Sequence, residues 1–290
     1  MILINKLLNP KIDYVFKRIF GYTGNEEITK AFISSIISKN IKEITLNCNP
    51  ITEKDLLDDK IGILDIKAKL NNNVNCNIEL QVVDNKNIEK RILFYWSKMY
   101  CQNIKLGKDY ENLEKSIVIL LTDYNLDSLK EIEECVTKWN IREKKHPQIV
   151  LTDVMEIYII ELKKFKMNIY DELGNLSKWI QFINNPEVIS EMEDKEIKNA
   201  RKVLEEISQD ERERRLTELR EKYIMDQKAI HDHGYDKGLE KGIEQGIKQG
   251  IQQGAVQNQK EIAQKMKFKG FDKKTISEIT GLTEEQIKNL

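Results

Sequence analysis

Asp65 and Glu79 sit on the polar sides of two consecutive alternations of apolar and polar residues. Within 61–70, Leu64, Ile66, Ala68 and Leu70 fall on one face and Asp65, Lys67 and Lys69 on the other, as the two-residue period of a strand requires. Cys76, Ile78, Leu80 and Val82 form the apolar face of the next strand, and Asn75, Asn77, Glu79 and Gln81 its polar face. If Asn71-Asn72-Asn73 closes a three-residue hairpin, with Asn tolerating the left-handed turn position, Leu70 pairs with Val74 and Asp65 lies opposite Glu79. Two facing carboxylates repel, and the arrangement costs stability unless a cation lies between them. Hard oxygen ligands with open positions suit Mg²⁺ or Mn²⁺, which activate water and stabilise a phosphoryl transition state.

The elements that must position this pair can be read from periodicity. Asp13 to Phe20 and Asn25 to Ser38 read as helices, and strands are expected at about 42–48, 61–70 and 74–83. A helix over 87–105 presents Ile88, Ile92, Tyr95, Met99 and Ile104 on roughly one face. Lys115 to Thr122 contains an unbroken apolar run and reads as a buried strand, followed by an antiparallel pair at about 132–141 and 153–162. This order predicts a mixed-sheet α/β core. Arg91 and Tyr95, at i and i+4, share a helix face just after the strand of Glu79. Arg91 reads either as a phosphate or carboxylate contact in the site or as a structural salt bridge. Asp13 reads as an N-cap, and Lys17 as a phosphate contact or a solvated lysine.

Asp65, a hairpin and then Glu79-Leu80-Gln81 resemble the D…(E)xK core of the PD-(D/E)XK nucleases, with Gln in place of Lys. The segment Asp13-Tyr14-Val15-Phe16-Lys17-Arg18-Ile19-Phe20-Gly21 belongs to the same resemblance, as do Arg91, Tyr95, Gln102, Gly107 and Tyr110. So do Glu161-Leu162-Lys163-Lys164-Phe165, Trp179-Ile180-Gln181-Phe182 and a glycine-periodic tail. In this order the motifs resemble the Rpn family of recombination-promoting nucleases, often labelled transposases, over nearly the whole chain. The resemblance implies a restriction-endonuclease-like fold followed by an all-α extension. It also implies Mg²⁺ held by Asp65, Glu79 and the Leu80 carbonyl, with Asp13 as a further carboxylate. Gln81 would position the attacking water and Arg91 would stabilise charge on the phosphate. The implied activity is cleavage of double-stranded DNA with little base readout, in recombination, mobile-element or defence contexts. The usual motif Lys holds the attacking water and offsets phosphate charge; Gln81 orients water without supplying charge, so another cation is expected. Two other classes stay open: an idle DNA-binding or scaffold protein of the same fold, and an interaction module whose helices regulate a partner nuclease.

The chain divides into a nuclease domain at 1–185, a charged helical and glycine-repeat segment at 186–256, and a small unit at 257–290. Gly234, Gly238, Gly242, Gly246, Gly250 and Gly254 recur every fourth residue, with Leu239, Ile243, Ile247 and Ile251 following four of them. Each glycine costs a solvated helix about 1 kcal/mol relative to Ala. The repeat is therefore either a self-association helix, giving a homo-oligomer, or a weakly structured spacer. Residues 258–290 read as three short helices turning at Gly270 and Gly281, with Thr283 capping the last. This resembles a helix-turn-helix, although Glu284 and Glu285 are poor partners for phosphate. The unit reads either DNA or a protein surface.

With 290 residues, 33% charged, and a net charge of -1, the chain is not a uniformly basic DNA-coating protein, although a local basic cleft remains compatible. Four scattered Cys and three His make a zinc site improbable and fit reduced thiols. No apolar run approaches a membrane span, and Met1-Ile2-Leu3-Ile4 is too short for a signal peptide, so a cytoplasmic protein is expected.

Overall fold

The computed structural model describes residues 6–47, 65–71, 73–84, 86–102, 109–166, 172–187 and 194–290. They group into two compact units, 1–227 and 228–290. The first is built on a six-stranded mixed sheet in the order β1-β2-β3-β4-β6-β5. Its strands are β1 (Ile44–Asn47), β2 (Ile66–Leu70), β3 (Val74–Gln81), β4 (Lys115–Thr122), β5 (Val136–Trp139) and β6 (Met155–Glu161). The restriction-endonuclease-like α/β expectation holds, with the helical extension after it. The β2–β3 hairpin has the predicted register, with Leu70 paired to Val74 and Ile66 to Ile78. Asn71 takes a left-handed φ of 47°, a conformation that Asn tolerates. The expected start of this strand at 61–64 lies outside the described residues, as do Asn72, Ile104 and Gly107.

β4 runs parallel to both β3 and β6, so it is buried on both faces, which accounts for its unbroken apolar run. β5 and β6 are antiparallel, as their spacing predicts. Alternation along the strands divides the core into two layers. Ile66, Ala68, Leu70, Cys76, Ile78 and Leu80 pack against α1 (Asp13–Phe20), α2 (Glu26–Ile37) and the later helices. Phe20, Phe32, Trp179 and Phe182 form an aromatic cluster there, which explains the Trp-Ile-Gln-Phe motif as core packing. On the other face Val118, Leu120, Ile157 and Ile159 meet Ile88 and Ile92 of α3 (Ile88–Cys101).

The helices α4 (Asn175–Asn184), α5 (Lys195–Gln209) and the beginning of α6 (Glu211–Phe268) close the first layer. α5 is capped by Asp194, whose side chain accepts from the backbone N–H groups of Glu196 and Ile197. Ile197, Ala200, Leu204, Ile207, Leu216 and Ile224 join the core, so the charged segment after Pro186 is amphipathic and part of the first unit.

In the second unit, α6 carries the glycine repeat in helical form. A Cβ added at any of Gly234 to Gly254 in the repeat would meet nothing within 4 Å, and Leu239, Ile243, Ile247 and Ile251 are exposed. The end of α6 packs with α7 (Lys273–Thr280) and α8 (Glu284–Lys288) around Ala263, Ile276, Leu282 and Ile287. Gly270 and Gly281 turn the chain with φ of 84° and 73°, and Thr283 and Gln286 form a capping box. No helix among the described residues is long and apolar enough to cross a membrane.

Candidate active site

Glu79 and Gln81 project from central strand β3 toward α3, because Cys76, Ile78 and Leu80 occupy the opposite face. Glu79 is only 1% exposed. Its Oε1 accepts from Arg91 Nη2 at 2.7 Å and from Gln81 Nε2 at 2.5 Å. Arg91 therefore makes the carboxylate contact anticipated for it. Its guanidinium lies 5.5 Å from the Tyr95 ring centre, so the i,i+4 pair forms as the spacing predicts.

Asp65 immediately precedes β2 and is 8% exposed. Extending the hairpin register by one step from Ile66↔Ile78 brings Asp65 to the level of Glu79. Burial pushes its carboxyl pKa up, against the pull of Arg91, Lys67, Asn77 and Lys17. Burial also pushes the Tyr95 hydroxyl up to about 12, opposed by Arg91 and reinforced by Asp65 and Glu79. These electrostatic couplings place Asp65, Glu79, Arg91 and Tyr95 in one neighbourhood. Asn77 and Lys67, paired across the hairpin, belong to its surroundings and were not singled out by spacing.

The remaining candidates fall elsewhere. Asp13 is not the N-cap of α1; Ile12 holds that position and Asp13 begins the helix. The Asp13 carboxylate accepts from Arg220 of α6, Nη2 to Oδ2 at 2.6 Å and Nε to Oδ1 at 2.9 Å, and from the Tyr14 backbone N–H. Among the described residues no three His, Cys, Asp or Glu side chains gather around one point. Lys17 is not a solvated lysine: it is 2% exposed, on a helix buried nearly all round. Glu161 receives Lys164 at 2.6 Å and the Leu126 backbone N–H at 2.8 Å, a structural role for that motif. Tyr110 and Gln102 are exposed.

Two buried carboxylates at one level of a hairpin, a strand carbonyl at Leu80 and the Gln81 amide form an all-oxygen donor set compatible with a hard divalent ion. The buried carboxyl of Asp65, with its raised pKa, is the site feature that added positive charge would relieve.

Residues 10–234 match the model of the PD-(D/E)XK nuclease family transposases, and residues 257–290 match the C-terminal helix-turn-helix domain of the Rpn/YhgA-like nuclease family. No curated protein and no solved structure gives a significant match. With the hairpin register, the Glu79-Leu80-Gln81 strand and most of the chain's length in agreement, the protein belongs to the PD-(D/E)XK nuclease family transposases of the Rpn/YhgA-like group.

Proposed function

We propose that the chain is a metal-dependent DNA endonuclease that hydrolyses phosphodiester bonds of double-stranded DNA with little sequence preference, in recombination or in mobile-element or defence contexts. The observation that carries this reading is the buried Glu79 on a central strand, one hairpin step from buried Asp65, within a nuclease-family chain. Asp65, Glu79 and the Leu80 carbonyl would hold Mg²⁺, with Mn²⁺ as an alternative. The bound ion supplies Lewis-acid stabilisation of the phosphoryl group and lowers the pKa of water. Gln81, held against Glu79, orients the attacking water through its amide. Arg91 supplies positive charge beside the same carboxylate, where the scissile phosphate gathers negative charge. Asp13 is assigned to fastening α1 to α6 through Arg220 in place of the metal-ligand role the resemblance implies.

The helix-turn-helix domain supports DNA binding by the tail, and the exposed Gly/Ile stripe supports assembly of the chain as a homo-oligomer through α6. Incubation of supercoiled plasmid with Mg²⁺, Mn²⁺ or EDTA tests the activity. Nicked and linear products whose ends map to many sequences, and only with metal, are expected; products formed equally in EDTA would contradict the metal requirement.

A further inference from the structure

Lys17 is a lysine with 2% of its surface exposed, on the helix that packs behind the sheet. Removing an ammonium from water costs several kcal/mol unless negative charge meets it, so its position requires an explanation. One turn on, the Gly21 backbone N–H donates to the Lys17 carbonyl at 2.7 Å. A Cβ at Gly21 would lie 2.9 Å from Ile66 Cγ1 and 3.0 Å from Lys17 Cγ. The absent side chain lets the end of α1 close on the beginning of β2, with the Lys17 stem lying beside that contact. Ile66 directly follows Asp65, and the positive charge of Lys17 acts on the Asp65 carboxylate. α1 thus brings an ammonium to the Asp65 end of the site, while β3 offers only neutral Gln81 at the position where the nuclease motif has lysine.

We infer that Lys17 is a catalytic residue: its ammonium, delivered by α1 through the gap at Gly21, contacts the scissile phosphate and supplies the charge that Gln81 lacks. This rests on the nuclease reading. In hydrolysis the water oxygen forms the new P–O bond, one bridging P–O bond breaks, and the departing oxygen takes up a proton from solvent. Lys17 stays protonated throughout and contributes charge to a phosphoryl oxygen.

The test compares Lys17→Met, Gln81→Lys and the double variant with the wild-type full chain. The readouts are plasmid cleavage in Mn²⁺ and thermal unfolding with and without Mn²⁺. Lys17→Met is expected to lose roughly 100-fold in cleavage, the scale of removing one transition-state contact, while remaining folded and keeping its Mn²⁺-dependent shift. The double variant is expected to regain at least about tenfold of that loss, because the charge returns from β3. Lys17→Met cleaving within about threefold of wild type, or a double variant that folds and binds Mn²⁺ but stays as inactive as the single, would overturn the assignment. If Lys17→Met fails to fold, Lys17→Arg carries the test: a lower kcat at unchanged melting temperature supports the role, and an unchanged kcat overturns it. A wild-type chain inert with every metal would overturn the nuclease reading and this inference together, whereas an active wild type isolates the question to Lys17.

Discussion

Arg91 Nη2 lies 2.7 Å from Glu79 Oε1, joining the helix after the hairpin to a carboxylate that is almost wholly enclosed. Breaking a buried ion pair from one side leaves an uncompensated charge, so Arg91→Ala is expected to lower stability in EDTA by roughly 3 kcal/mol. A divalent ion bound to Glu79 would replace part of the lost positive charge. The Mn²⁺-dependent rise in melting temperature should therefore be larger in Arg91→Ala than in wild type, although cleavage falls. Thermal unfolding with and without Mn²⁺ checks this; an equal or smaller rise would argue against a cation site at Glu79.

Asp13 and Arg220 are 207 residues apart in sequence, yet they form a bidentate ion pair that clamps α1 onto α6. Glu213 of α6 reinforces it, accepting from Tyr14 Oη and from Arg18 Nε, each at 2.8 Å. Arg220→Ala is expected to destabilise the chain by roughly 3 kcal/mol because Asp13 is left buried without its partner. Asp13→Asn should retain the full Mn²⁺-dependent thermal shift. Loss of that shift would return Asp13 to the metal shell.

The hairpin and the order of the sheet were legible because local signals agree. Asn at the left-handed turn, alternation on both sides of it and the Leu70-Val74 closure all specify one register. The apolar run of β4 likewise announced a strand buried on both faces. Lys17 was misread because solvated-lysine reasoning assumes an exposed helix face, whereas α1 buries Asp13, Tyr14, Val15, Phe16, Lys17, Ile19 and Phe20. No periodicity reveals that enclosure, since it is created by β2, α2 and α6 from distant parts of the chain. The Asp13–Arg220 pairing is invisible for the same reason. The glycine repeat admitted a helix or a spacer, and the helix forms although the glycines meet no neighbouring atoms that would compensate them.

Glu156 gives the first unit an acid-sensitive tie. Its carboxylate accepts from Lys115 Nζ at 2.6 Å and Tyr158 Oη at 2.7 Å, with Lys138 at 3.5 Å. Burial alone would raise its pKa, but the bonds from Lys115 and Tyr158 and the lysine charges outweigh it and hold the group down at about 2, below its ordinary 4.5. Because the folded pKa lies below the unfolded one, the contribution is present above about pH 4.5 and is lost as pH falls toward 2. Glu156→Gln should cost roughly 2 kcal/mol at pH 7, with the difference from wild type closing as the pH approaches 2. Denaturant melts across that window check it; a difference independent of pH would contradict the account.

The exposed Leu239, Ile243, Ile247 and Ile251 follow glycines that leave the helix backbone open to close approach. A chain lacking 234–290 is expected to sediment as a concentration-independent monomer, whereas the full chain forms an oligomer. Identical sedimentation of the two would sink the assembly role of α6.

The central claim turns on one carboxylate and is tested most directly by plasmid cleavage with purified wild type and Glu79→Ala in Mg²⁺, Mn²⁺ and EDTA. The account predicts metal-dependent nicking and linearisation by wild type, and loss of cleavage in a Glu79→Ala chain that still folds and binds the plasmid. Equal cleavage by both proteins would place the chemistry outside the β2–β3 hairpin; equal inactivity with every metal would favour a DNA-binding scaffold of the same fold.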